Sequence, residues 1–357
     1  MIRRTFHKGL LGLSAAALMA GTAAAADLKV GFVYVGPIGD HGWTYQHEQG
    51  RLAVEEAFGD RVETTYVESV SEGPDAERVI RQLAASGHGL IFTTSFGYMD
   101  PTLKIAKMFP DVKFEHATGY KRADNVSTYS GKFYEGRHVI GLIAGKMTKT
   151  NKIGYIASFP IPEVVRGINA ATLAAQSVNP DIEVQVVWVN TWYDPGKEAD
   201  AAKALIAQGA DMIMQHTDSP AALQAAENAG VLAFGQASNM IKFAPNAQLT
   251  AIEDNWAPYY VKRVQAVLDG TWASQDSWAG MAAKEVVMSP YTNMPDDVAA
   301  MAAKAEAGII DGSIHPFAGP IMDRDGAERV AAGAVADDGM LLGMDWFVKG
   351  VKGDLPK

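Results

Sequence analysis

Short apolar segments alternate with amphipathic helical segments from residue 28 onward, and the alternation starts again near residue 152. This pattern is typical of parallel sheets covered by helices on both faces. The strands predicted in the first run are 28–35, 63–67, 89–93, 113–116 and 127–130. Those in the second run are 152–157, 184–189, 211–215, 231–234 and 249–253. We therefore predict an α/β protein with two Rossmann-like lobes.

The segments after residue 254 are too few to form a third lobe, although 357 residues exceed what one core usually serves. They comprise a predicted helix at 257–268, a strand near 283–288 and a helix at 296–307. We expect them to complete the first two lobes through a hinge of several strands, with crossings near residues 131, 255 and 288. The expected lobes are 27–131 with about 256–288, and 132–255 with about 289–357.

The first 26 residues have the pattern of an export signal. Arg3, Arg4 and Lys8 precede an apolar stretch at 9–20 and a run of small residues at 22–26. The apolar stretch is shorter than the roughly 20 residues that span a bilayer, so we predict cleavage and a soluble, periplasmic protein. The Arg3-Arg4 pair fits a twin-arginine signal and an ordinary signal equally.

Composition disfavours several classes of site and partner. The chain has no cysteine, which excludes disulfides, thiolate metal sites, cysteine nucleophiles and a lipid-modified cysteine. Acidic residues number 41 against 31 basic ones, and three of the basic residues lie in the expected signal. This negative charge disfavours nucleic acid and anionic lipid as partners, and we expect no direct membrane insertion.

Aromatic side chains follow the predicted strands on both lobes. Ligands of open parallel sheets bind beyond the carboxyl ends of the strands, and seven aromatics lie there: Trp43, Tyr45, Phe96, Tyr98, Trp192, Tyr193 and Trp256. Any one of them can equally fill a gap between loop and helix, but their joint placement predicts a sandwich for a planar ring. Stacking contributes about 1–3 kcal/mol per base in nucleic-acid systems.

Polar residues in the same loops can hydrogen-bond to the edges of such a ring. These candidates are Asp40, Gln215, Asp218, Gln236 and Glu253, and Thr44, Gly97 and His216 are further candidates for ligand contact. Catalytic and cofactor motifs are missing: the glycines after the first strand do not fit Gly-x-Gly-x-x-Gly, and the histidines lack metal-ligand spacing. We therefore predict a binding protein with no enzymatic activity, no cofactor and no metal.

Several short segments occur together in a characteristic order: 39–46, 109–114, 135–145, 152–155, 194–197, 209–213 and 309–314. With them, essentially the whole mature chain resembles the basic membrane protein (BMP) family of ABC-transporter substrate-binding proteins, which includes bacterial purine nucleoside receptors. The resemblance implies a type I periplasmic binding protein whose two lobes close over a ligand and deliver it to a permease in the inner membrane.

The resemblance also implies roles for individual residues. Asp40 matches an acidic residue that faces the base, and Trp43 occupies a position usually filled by a stacking phenylalanine. Phe96 and Gly97 match a loop that lines the cleft, and the stretch 215–218 matches a loop that supplies another base contact.

The sequence departs from the nucleoside receptors in ways that bear on the ligand. Segment 236–239 lacks the acidic residue that grips ribose, and Glu253 and Asp254 lie near the place of the usual lysine. These departures favour a free purine base such as adenine over a nucleoside. The alternatives are a sugar or other small polar ligand on the same fold, an exported nucleoside-processing enzyme, and a sensor that acts on a membrane receptor kinase.

Overall fold

The computed structural model describes residues 26–356. In chain order the strands are β1 Leu28–Val33, β2 Val62–Val67, β3 Leu90–Thr93, β4 Lys113–Ala117, β5 Val126–Gly131, β6 Lys152–Ala157, β7 Glu183–Trp188, β8 Met212–His216, β9 Leu232–Gly235, β10 Gln248–Asp254, β11 Asp276–Ala279, β12 Val286–Met288, β13 Ile321–Met322, β14 Glu328–Val330 and β15 Val351–Lys352. The α-helices are α1 Gly42–Phe58, α2 Pro74–Ala85, α3 Met99–Ala106, α4 Tyr134–Met147, α5 Pro162–Val178, α6 Pro195–Ala207, α7 Ala221–Ala229, α8 Ala257–Leu268, α9 Asp296–Ile310 and α10 Asp338–Leu342.

Two main sheets form the centres of two lobes, which confirms the predicted fold class. The first sheet has the strand order β11-β5-β4-β3-β1-β2, and all of its neighbours are parallel. The second has the order β12-β10-β9-β8-β6-β7-β15, in which only the β10–β12 pair is antiparallel. Strands β1, β3, β6 and β8 are almost wholly buried, as expected for parallel strands with helices on both faces.

The chain passes between the sheets three times: after Gly131, after Asp254, and between Ala279 and Val286. The third passage lies earlier than the expected residue 288. The expected strand at 283–288 is shortened to β12, which pairs antiparallel with β10 in the second sheet, and an unpredicted strand, β11, pairs with β5 in the first. The segment 286–288 therefore belongs to the second sheet.

Helix α4 was not predicted from hydrophobic periodicity. Ten of its 14 residues are buried, because it packs between α5 and α9, so it has no continuous polar face to reveal a helical period. Its approach to α5 requires glycine, because a Cβ on Gly141 would lie 2.4 Å from the carbonyl oxygen of Ala171.

Helix starts elsewhere follow from local sequence. Asp194 caps α6 by accepting a 3.0 Å hydrogen bond from the backbone N–H of Lys197, and Pro195 follows at the first helical position.

The expected export signal lies outside the described residues, apart from Ala26. Between residues 26 and 356, no helix combines the length and apolarity that a membrane span needs.

Candidate ligand-binding site

A cavity lies between the two lobes at the carboxyl ends of their strands. The first lobe contributes Val35, Trp43, Ser95, Phe96 and Thr118 to its walls, and the second contributes Glu163, Trp192, His216, Asp218 and Gln236. Its combination of aromatic walls with a few polar groups is typical of small-molecule sites.

Trp43, in the first turn of α1, is held in a fixed orientation. Its indole Nε1 donates a 2.7 Å hydrogen bond to the carbonyl oxygen of Thr94, at the end of β3. The rings of His47 and Trp256 pack edge-on against it, with centroid distances of 4.4 and 5.5 Å. These contacts fix the indole before a ligand arrives, so little side-chain entropy is lost on binding.

Trp192 forms the corresponding wall on the second lobe. Its indole Nε1 donates a 3.3 Å hydrogen bond to Oε1 of Glu72, on the first lobe. The same oxygen accepts hydrogen bonds from Ser95 Oγ at 2.5 Å and from the Gly97 N–H at 2.9 Å. The ring of Phe159 packs against the indole at 5.0 Å. Trp192 is thus positioned by contacts from both lobes.

Between the two indoles lie an acid, an imidazole and an amide. The carboxylate of Asp218 accepts a hydrogen bond from the backbone N–H of Trp43, and burial, followed by the charge of Glu198, raises its pKa well above the usual value. Burial lowers the pKa of His216, against the opposing effect of Glu163, whose Oε1 lies 3.4 Å from Nε2. At neutral pH both effects favour uncharged groups facing the cavity.

Gln236 is oriented by a buried arginine. Its Oε1 accepts a hydrogen bond from Arg137 Nη2, while Nη1 of the same guanidinium donates to the carbonyl oxygen of Gln215 at 2.9 Å. Since the oxygen of Gln236 is engaged, its amide nitrogen is the group available as a donor toward the cavity.

The structure brings six of the candidate residues to this cavity: Trp43, Phe96, Trp192, His216, Asp218 and Gln236. Two further candidates support its loops. Thr44 Oγ1 accepts a 3.2 Å hydrogen bond from the N–H of Gly36. Gly97 packs against Glu72, whose carboxyl carbon would lie 2.3 Å from a Cβ at this position.

Three candidates are buried, and the structure does not bring them to the cavity. Tyr98 lies in the core of the first lobe and donates its hydroxyl to the carbonyl oxygen of Val70 at 2.5 Å. Trp256 stacks on His47 at 4.9 Å, behind Trp43. The amide of Gln215 donates to the carbonyl oxygens of Thr217 and Ser219 and thereby shapes the loop after β8.

Asp40, Tyr45 and Glu253 line a separate groove on the outer edge of the lobe interface, so the structure does not bring Asp40 to the base-facing position that the resemblance implies. The exposed carboxylate of Asp40 instead pairs with Lys242 of the second lobe, and the hydrogen bonds from Lys242 and His41 lower its pKa. Glu253 accepts a hydrogen bond from Ser289.

Several residues near the cavity were missed at the sequence level. Thr118 follows β4, and Glu163 lies in the first turn of α5 after β6. Ligands of parallel sheets bind beyond the carboxyl ends of the strands, so inspecting the segments after these two strands would have found both residues. Asp254, at the end of β10, is 2% exposed, and neither of its carboxyl oxygens has a hydrogen-bond partner in the described part of the chain. Arg137 lies on the unpredicted α4.

The lobes are closed on each other. The N–H of Gly42 donates a 2.7 Å hydrogen bond to Ser238 Oγ across the interface. A Cβ on Gly42 would lie 2.5 Å from the carbonyl oxygen of Asp218, and its φ is +79°. Only glycine combines this backbone conformation with so close an approach of the second lobe.

The family model for PnrA-like ABC transporter substrate-binding proteins (Bmp) matches residues 27–316. The chain belongs to this family. A purine-binding protein of Brucella abortus is 62% identical over 344 residues, covering 96% of this chain and 98% of the relative. A putative ABC transporter glucose-binding protein of Haloferax volcanii is 38% identical and covers 94% of this chain and 83% of the relative. The expected resemblance is thereby confirmed, and the chain is an ABC-transporter substrate-binding protein.

Solved structures support the fold of this Bmp family member. An ABC-transporter solute-binding protein from Aeropyrum pernix superposes with a TM-score of 0.70 at 18% identity, covering 81% of this chain and 92% of its own. A second, from Conexibacter woesei, has a TM-score of 0.63 at 22% identity, with coverage of 81% and 98%. Both comparisons agree with the two-lobed architecture predicted from the strand pattern.

Proposed function

We propose that this chain is the periplasmic receptor of an ABC importer and that it binds a purine base such as adenine between its lobes. The observation that carries the proposal is the placement of Trp43 and Trp192, from opposite lobes, on the walls of one small cavity with hydrogen-bonding groups between them. The name of the Brucella relative, a purine-binding protein at 62% identity, supports the same class of ligand.

In this proposal the ring stacks between the two indoles, and the polar groups recognise its edges. A protonated Asp218 carboxyl both donates and accepts a hydrogen bond, which suits the neighbouring ring nitrogen and exocyclic amine of adenine. Gln236 supplies an N–H donor, and the imidazole of His216 forms a polar part of the cavity wall. A ligand that lacks these groups would leave buried polar atoms unpaired, which costs affinity.

Closure couples binding to transport. The hydrogen bonds from Trp192 to Glu72 and from Gly42 to Ser238 join the two lobes, so they contribute only when the lobes meet. A ligand that completes both walls stabilises this closed form, and the permease recognises the closed surface. No bond of the ligand is made or broken in this role.

Export by the signal at residues 1–26 places the receptor in the periplasm, which osmotic-shock fractionation tests.

The second candidate ligand is a sugar, because the Haloferax relative is named a putative glucose-binding protein and aromatic walls also bind pyranose faces. Titration calorimetry on refolded, ligand-stripped protein separates the two, with adenine, guanine, hypoxanthine, adenosine and glucose as ligands. We expect a dissociation constant of about 1 μM or below for at least one base, which corresponds to about −8 kcal/mol. Tight binding of glucose with millimolar or absent purine binding would overturn the proposal.

A further inference from the structure

A second and larger space, of about 520 Å³, adjoins the ring-binding cavity. The two spaces share three lining residues: Phe96, Thr118 and Glu163. We call the larger space the outer chamber; its other walls include Tyr120, Arg166, Trp278 and Leu342. Because the shared side chains form the boundary between the two spaces, they determine whether one ligand can occupy both.

The walls of the outer chamber combine apolar surface with charged side chains. Tyr120 is 70% exposed and Leu342 is 49% exposed, so apolar side chains of both lobes remain open to solvent there. Arg166 is only 3% exposed; its guanidinium lies 4.9 Å from the ring centre of Trp278, and its Nη1 donates to the carbonyl oxygen of Leu341 at 2.7 Å. Its buried Nε has no hydrogen-bond partner in the described chain. Glu163 and Asp276 also line the chamber, so its walls offer carboxylate acceptors beside the apolar surface, which suits a group that carries hydroxyls.

Phe96 is the member of the boundary whose side chain is large and makes no hydrogen bonds. Its ring lies 6.3 Å from that of Tyr120, on the chamber side. Its backbone position is fixed on both sides, because Glu72 accepts hydrogen bonds from Ser95 Oγ and from the Gly97 N–H. The turn that carries the phenyl ring is therefore held in place, and the ring itself lines both spaces.

We infer that Phe96 is a specificity-determining residue that confines the ligand to an unsubstituted ring and excludes rings that carry a hydroxylated substituent. The inference rests on the proposed function. The phenyl ring closes the inner cavity around the purine, and the outer chamber beyond it has the room and the chemistry to accept the substituent once the phenyl is removed. Selectivity for the base over its nucleoside then comes from a clash at the boundary, since the chamber itself has space for a pentose.

The test compares adenine and adenosine binding to the wild type, Phe96→Ala and Phe243→Ala by titration calorimetry. Phe243 lies beside His41 at the outer edge of the interface and lines neither space, so its substitution controls for the loss of an aromatic ring. We expect the wild type to prefer adenine by about 100-fold or more, and F96A to reduce this ratio at least about tenfold through tighter adenosine binding. F243A should keep the wild-type ratio.

The outcomes separate the inference from the proposed function. If the wild type binds adenine and adenosine equally well, the inference is overturned and purine binding stays in place. The same holds if F96A binds adenine but keeps the wild-type ratio of adenine to adenosine affinity. A wild type that binds no purine rejects both. Phe96→Leu provides a smaller truncation if F96A does not fold, as judged by thermal unfolding. Adding Tyr120→Ala to F96A should remove part of the gained adenosine affinity, because Tyr120 is the nearest aromatic wall of the chamber.

Discussion

Trp192 of the second lobe donates its indole N–H to Oε1 of Glu72 on the first lobe, over 3.3 Å. That oxygen also accepts from Ser95 Oγ and from the N–H of Gly97. One carboxylate therefore joins the turn that carries Phe96 to the aromatic wall of the opposite lobe. Because the bond from Trp192 forms only when the lobes meet, Glu72 links closure to the shape of the cavity.

Replacing Glu72 by alanine should therefore weaken adenine binding without removing any ring contact. We expect a loss of about tenfold, the effect of one or two hydrogen bonds of about 1 kcal/mol each, measured by calorimetry. Small-angle scattering should show a smaller fraction of closed protein at equal ligand saturation. The matched control is Glu68→Ala, because Glu68 accepts one hydrogen bond, from the N–H of Ile38 within the first lobe. Equal affinities of E72A and wild type would contradict this role.

The two indole walls predict a second result. Trp43→Ala and Trp192→Ala should each weaken adenine binding by about 10- to 100-fold, in line with about 1–3 kcal/mol per stacked base, whereas phenylalanine should restore part of the loss. Trp188→Ala is the control, because its indole donates to the carbonyl oxygen of Asp354 at 2.8 Å and lines neither space. Wild-type affinity in both W43A and W192A would rule out the sandwich.

Much of the fold was predictable from the sequence because buried parallel strands and one-sided helices leave clear patterns. The bounds of β6 and α8 agree residue for residue with prediction. The sequence pattern did not predict helix α4 for a physical reason, because burial on most sides removes the polar face that reveals a helical period. The division of 276–288 between two sheets depends on the pairing of β11 with β5 and of β12 with β10, which no local pattern specifies.

The site was predictable at the level of loops and less so at the level of side chains. The carboxyl-end rule found Trp43 and Trp192. It could not separate them from Tyr98 and Trp256, because the direction of a side chain on a turn is decided by packing, and these two point into the core. Nor could it place Asp40, whose partner Lys242 is 202 residues away on the other lobe.

Asp40 and Asp218 allow a direct test of the resemblance against the structure. Asp218→Ala should reduce adenine affinity at least about tenfold, because it removes a hydrogen-bonding group from the cavity wall. Asp40→Ala should change the adenine affinity by less than about threefold, since exposed ion pairs contribute little in water. Combining D40A with Lys242→Ala should add nothing further, as both remove the same pair. A large loss of affinity in D40A that differs between ligands would instead support the base-facing role that the resemblance implies for Asp40.

The buried carboxyl of Asp254 predicts how stability depends on pH. Burial raises its pKa well above the usual 3.8, and the charges of Glu163, Asp218 and Glu253 act in the same direction, while Arg137 opposes them. The folded protein thus retains a proton that the unfolded chain releases above about pH 4. The proton on Asp254 therefore contributes its full stabilisation at pH values below the pKa that this carboxyl has in the unfolded chain. The stabilisation is lost as the pH rises through the pKa that the carboxyl has in the folded protein.

Asp254→Asn removes this loss, because asparagine stays neutral at every pH. In urea unfolding of the ligand-free protein, the variant and the wild type should have similar free energies of unfolding near pH 3.5, with the variant gaining at least about 1 kcal/mol by pH 8 as the wild-type carboxyl is forced to ionise in a buried site. Asp124→Asn, an exposed position on the first lobe, should show a constant difference from the wild type. Parallel curves for D254N and wild type from pH 3.5 to 8 would mean that Asp254 does not retain its proton in the folded protein.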